Sequence, residues 1–181
     1  SFALGAKSLS RYEFRYRLVE AHDLQVSHDP FTFVPNPKYP QELQPRDRTR
    51  AADQAQVITF AAKLNTEALL TEFHSIDRGA PIIGKDLITE SGNGRVMAIQ
   101  RAITEHPEEY RKYLDALKEA VPKFAIPLTY LAKFKQPVLV RERLTKVDRA
   151  TFGKEANLGT SLGTSPVETA VMDASLLRLQ D

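Results

Sequence analysis

Glu90-Ser91-Gly92-Asn93-Gly94-Arg95-Val96-Met97-Ala98 decides how this chain folds. Residues 80–84 and 87–91 form an apolar hairpin that turns through Gly84-Lys85-Asp86 and runs into this stretch. An amphipathic helix over residues 95–104 runs out of it, with Val96, Ile99 and Ile103 as the buried stripe. Gly92 and Gly94 let the backbone turn sharply and present its N–H groups at the positive end of that helix. A strand, a tight glycine turn and a helix N-terminus together suit a phosphate or another anion. Arg95 can add a bidentate contact to the same anion. The same pattern also describes a plain strand-to-helix turn with a solvated arginine. No Gly-x-x-x-x-Gly-Lys-Ser/Thr loop is present, and the third glycine of a dinucleotide fingerprint is missing.

Upstream, Tyr12, Phe14, Tyr16 and Leu18 alternate with Glu13, Arg15 and Arg17, which predicts a half-buried strand over residues 12–20. Pro30, Pro35, Pro37, Pro40 and Pro45 forbid a helix between residues 28 and 46 and predict a long ordered loop. A helix is expected over 49–64, with Val57, Ala61 and Leu64 on one face, and a shorter one over 66–73.

Downstream, residues 107–124 read as a peripheral helix that starts on Pro107 and carries Tyr110, Leu114 and Leu117 on one side. Residues 136–144 read as a strand from which Arg141 and Arg143 project together. Helices are expected over 146–157 and 166–179, joined by a mobile Gly/Ser/Thr-rich linker over 158–165.

The 181 residues suffice for one domain with a proper core, and 42% hydrophobic with 27% charged residues is an ordinary globular composition. Cysteine is absent, which excludes disulfides, thiolate metal sites and cysteine nucleophiles. His22, His28, His74 and His106 fall into no ligand spacing, so no metal site is expected. No apolar run is long enough to span a membrane and no signal peptide is visible; a cytoplasmic chain is expected. The net charge of +2 does not argue for nucleic acid, but basic residues cluster at Arg46, Arg48 and Arg50 and again between Lys133 and Lys154. In the first cluster Asp47 could cap the following helix while its arginines stay solvated, or Arg46 and Arg48 could reach a ligand. The chain opens on Ser1 and closes inside a helical pattern, which suggests a domain excised from a longer protein.

Three pieces together resemble the ParB/sulfiredoxin superfamily. They are the hairpin into Gly92-Asn93-Gly94-Arg95, the strand Gln136-Pro137-Val138-Leu139-Val140, and Glu155-Ala156-Asn157 followed by Ser165-Pro166-Val167-Glu168-Thr169-Ala170. ParB N-terminal domains carry a Gly-Glu-Arg-Arg turn before a helix, then a strand, then a helix ending in Glu-Asn-x-x-Arg. Leu43-Gln44-Pro45-Arg46-Asp47-Arg48-Thr49-Arg50 and the 90–97 run look most like the ParB-like domains of large phage and mobile-element proteins. The resemblance implies an α+β fold, a small mixed sheet with helices packed around it, over residues 1–170. The loop at 28–46 and the helix at 107–124 would be additions, and 166–181 a C-terminal helix.

The resemblance also implies a nucleoside triphosphate as ligand, ATP or CTP, with or without Mg2+. Ser91, Gly92, Asn93, Gly94 and Arg95 would hold its phosphates, with Arg46, Arg48 and Asn157 as further contacts. Asn93 stands where the family has Glu, Gly94 replaces the first Arg, and Thr160 stands in the Glu-Asn-x-x-Arg arginine position. A neutral Asn is no general base, so binding survives these changes better than catalysis.

Three functions fit these residues. The first is a nucleotide-binding module that serves neighbouring domains on or near DNA. The second is a nuclease or ATP-dependent kinase using Glu90, Asp86 or Asp47. The third is an adaptor whose Arg141 and Arg143 touch the DNA backbone. Sequence-specific DNA reading is not expected, because the segment that performs it in ParB would follow Ala170.

Overall fold

A computed structural model describes residues 1–5, 11–43 and 49–162. Five strands form one mixed sheet in the order β1-β2-β5-β3-β4. They are β1 (Phe2–Leu4), β2 (Arg11–Glu20), β3 (Ile82–Ile83), β4 (Thr89–Ser91) and β5 (Pro137–Arg143). The helices are α1 (Ala51–Ala62), α2 (Thr66–Leu70), α3 (Asn93–Glu105), α4 (Pro107–Ala120), α5 (Leu128–Leu131) and α6 (Arg149–Leu162).

The central pair is β2 with β5, antiparallel from Phe14 opposite Arg143 to Glu20 opposite Pro137. β3 runs parallel to β5, with Ile82 opposite Arg141, and antiparallel to β4. β3 is too short to pair with all of β5, so β5 finds other partners. The Arg141 N–H reaches the Pro81 carbonyl at 2.8 Å. Two residues earlier, the Leu139 N–H donates to the Tyr113 hydroxyl at 3.0 Å. The Tyr110 hydroxyl donates to the Pro137 carbonyl at 2.9 Å. Thus α4 is not peripheral. Its charged side faces outward as the sequence suggests, but Tyr110, Tyr113 and Leu117 are buried, and the two hydroxyls satisfy a strand that would otherwise hold bare polar groups.

His106 separates α3 from α4 with φ −137°, because Pro107 disfavours helical backbone in the residue before it. Leu18, Val57, Met97, Ile99, Tyr113, Leu117 and Val138–Val140 belong to the larger core. Ala3, Phe14, Ile76, Ile82, Phe152 and Ala156 form a smaller one, to which α6 contributes.

The proline-rich stretch is an ordered loop as far as it is described. Its only helix-like turn is Gln41–Leu43, and it is stitched to the body at several points. The Tyr39 hydroxyl donates to the Thr89 carbonyl at 2.6 Å, and Arg101 Nη1 donates to the Pro30 carbonyl at 2.8 Å. α6 continues through Gly159, Thr160 and Ser161 to Leu162, where composition suggests a linker. The expected helix over 166–179 lies outside the described residues.

Candidate phosphate-binding site

β4 delivers the chain to Gly92, which takes φ 94° and ψ 31° as the N-cap of α3. A side chain there would be strained by that φ, and its Cβ would stand 2.7 Å from Arg95 Nη2. Glycine therefore permits both the left-handed turn and the return of the Arg95 guanidinium over it. No side chain caps α3, whose first internal bond is Val96 N–H to Gly92 O at 2.9 Å. The N–H groups of Asn93, Gly94 and Arg95 precede that bond and have no carbonyl within the helix to take them.

Arg95 is the unusual group here. Its Nη1 donates to the Asp77 carbonyl at 3.1 Å. Its Nε and Nη2 are buried and have no partner. Burial lowers its pKa to about 10, against a smaller opposing pull from Asp77. Two unpartnered nitrogens on a buried guanidinium are costly unless an acceptor arrives.

The neighbouring site residues are brought together, but their side chains are engaged. Asn93 is buried, with Oδ1 accepting from Ser27 N–H at 2.9 Å and Nδ2 donating to the Tyr39 hydroxyl at 3.0 Å. Ser91 Oγ donates to the Ile76 carbonyl at 2.6 Å. Asn93 and Ser91 thus hold the walls of the turn, and what they offer a ligand is backbone.

Arg141 and Arg143 share a strand face, as expected, but that face is covered. Arg141 is 1% exposed, so the expected contact with a DNA backbone does not hold for it. Its guanidinium donates to the carbonyls of Ala80, Phe73, Ser75 and Arg78. Burial first, and nearby Arg95 second, lower its pKa to about 10. Arg143 donates to both carboxylate oxygens of Glu90, at 2.7 and 2.9 Å, and to the Thr145 carbonyl.

Glu90 is 1% exposed and also accepts from Arg149 Nε at 2.7 Å. Arg149 reaches Asp86 with its other two nitrogens, at 2.8 and 3.0 Å. The Arg149 hydrogen bonds hold the Asp86 carboxyl below its usual pKa. Both carboxylates proposed for acid/base work near the turn thus serve an ion-pair network, buried at Glu90 and exposed at Asp86, that ties α6 to the hairpin and β5. Among the described residues no group of three or more His, Asp or Glu side chains could hold a metal ion.

Arg46, Asp47 and Arg48 lie outside the described residues, and Asn157 is placed only as backbone of α6. α1 starts at Ala51, with Arg50 as a residue that does not cap it through its side chain. Sequence reasoning missed the loop at 71–81, which supplies the Ile76, Asp77 and Arg78 carbonyls that frame the turn. Gly79, at φ 82°, was its one local sign.

The mixed five-stranded sheet, the glycine turn and the helix behind it define an α+β domain of the ParB type. A family model described as the ddrB-like ParB superfamily domain matches residues 7–144, and the chain belongs to that family. The match ends before α6, so Asn157 falls beyond it. No curated protein and no solved structure matches the chain. No helix among the described residues is long and apolar enough to cross a membrane.

Proposed function

We propose that this domain binds a nucleotide through its phosphates at the N-terminus of α3 and does not itself transform it. Arg95 carries this reading: a buried guanidinium with two unpartnered nitrogens lies over an uncapped helix N-terminus. An anion in that turn would take the idle N–H groups of Arg95 and the free backbone donors of the first turn together. Binding is favoured over turnover because Glu90 and Asp86 are neutralised by arginines. A carboxylate held as an acceptor in two salt bridges is a poor general base. The ligand is a nucleoside triphosphate, ATP or CTP, with or without Mg2+. The domain would serve neighbouring domains of a phage or mobile-element protein that acts on DNA, as the resemblance of its sequence motifs implies.

Calorimetry with ATP, CTP and GTP, with and without magnesium, tests this on wild type and Arg95→Ala. A charge-assisted contact is worth about 1.5–3 kcal/mol, so the substitution should weaken binding about tenfold or more. Equal affinity in the two proteins would refute the reading.

A further inference from the structure

Three successive carbonyls of the loop at 71–81 are each held by a different strand or helix. Ile76 O accepts from Ser91 Oγ of β4, Asp77 O from Arg95 Nη1 of α3, and Arg78 O from Arg141 Nη2 of β5. Arg141 adds bonds to Phe73, Ser75 and Ala80 on either side. A loop held this closely has little freedom in its backbone. Its placement fixes the Cα of Arg78 one peptide from the carbonyl that the Arg95 guanidinium grips.

The Arg78 side chain is exposed, and no carboxylate or carbonyl of the described residues accepts from it. That contrasts with Arg141, Arg143 and Arg149, whose guanidinium groups are all engaged. The turn thus has one buried arginine with idle nitrogens and, beside it on a rigid loop, one free arginine with its full reach.

We infer that Arg78 is a second cation of this site. It closes on the outer phosphates of a di- or triphosphate chain whose first phosphate sits at the α3 N-terminus against Arg95. This rests on the nucleotide reading above and adds to it the residue that would hold the outer phosphates. An arginine fits because its planar fork can take two oxygens of successive phosphates, whereas a lone helix N-terminus holds one group. The backbone carbonyl that Arg141 holds survives any substitution at position 78, so the side chain can be removed without unpinning the loop.

The test is calorimetry of the full chain with three inorganic probes: orthophosphate, pyrophosphate and tripolyphosphate. Wild type, Arg78→Ala, Arg78→Lys and Arg95→Ala are compared at fixed salt. Arg78→Ala should weaken tripolyphosphate about tenfold and leave orthophosphate within about twofold, with partial recovery in Arg78→Lys. Arg95→Ala should weaken all three probes. If Arg78→Ala leaves tripolyphosphate unchanged while Arg95→Ala removes it, the role of Arg78 is wrong and the phosphate site stands. If Arg78→Ala weakens orthophosphate as much as tripolyphosphate, discrimination by chain length is wrong. If wild type binds none of the probes, both readings fall.

Discussion

Arg95 shows how a single side chain can be a liability to the fold and an asset to a site. Its folded pKa lies below the ordinary 12.5, chiefly through burial, so the charged form is less welcome in the folded protein than in the unfolded chain. At neutral pH both states carry the charge, and the mismatch therefore weakens the fold. This cost fades only at pH values near the folded pKa and above. Methionine keeps much of the aliphatic bulk and removes the unpaired donors, but loses the bond to the Asp77 carbonyl. Arg95→Met should therefore leave stability in the absence of ligand unchanged or raise it by about 1–3 kcal/mol in urea denaturation. A drop of more than about 1 kcal/mol would instead make Arg95 a brace for the loop at 71–81. Asn93 beside it is the opposite case. Its side chain is spent on Ser27 and Tyr39, so the Asn in place of the family's Glu reads as a structural anchor for the proline-rich loop.

Among the helices, α6 depends on charge as well as on packing. Arg149 anchors its first turn to Asp86 in the hairpin and to Glu90 in β4, while Arg143 of β5 shares Glu90. Removing the buried charge leaves two guanidinium groups facing a neutral amide. Glu90→Gln should thus cost about 3–5 kcal/mol in urea denaturation. If Glu90 were a catalytic base, the same variant would keep its stability and lose turnover. Asp86 gives a separate pH signature. Its folded pKa is lowered by the Arg149 hydrogen bonds, so its contribution is present above the unfolded carboxyl value near about 3.9 and is lost as pH falls through the folded value. Thermal melts of wild type and Asp86→Asn from pH 7 downward should differ at neutral pH and converge only once the pH has fallen below the ordinary carboxyl range. A constant gap throughout would remove Asp86 from the acid response.

Across the whole molecule, local pattern and long-range closure divide what the sequence could reveal. The alternation of Tyr12, Phe14, Tyr16 and Leu18 foretold β2, and the glycine turn foretold the start of α3, because both signals lie within a few residues. Arg141 sits on the face that its alternation predicts, yet period alone could not say that the loop at 71–81 covers that face. Tyr113 capping β5 and Tyr39 reaching Thr89 were equally invisible, since each joins segments remote in sequence. α6 and the proline-rich loop are joined in the same way, at Gly153. A Cβ added there would stand 2.6 Å from the Leu43 carbonyl oxygen, which is backbone and has no rotamer to change. Helix propensity alone favours alanine over glycine by about 1 kcal/mol. The contact opposes it, because the helix and the Gln41–Leu43 turn must part to admit the methyl group. Gly153→Ala should therefore lower stability by about 1–3 kcal/mol despite the better helix former. It should also speed amide hydrogen exchange at Leu43, whose N–H donates to Pro40 O, and at Tyr39, while Leu139 in the central strand stays protected. A stabilised protein with unchanged exchange would mean that the loop yields to α6 freely and is no part of the framework that holds the α3 turn.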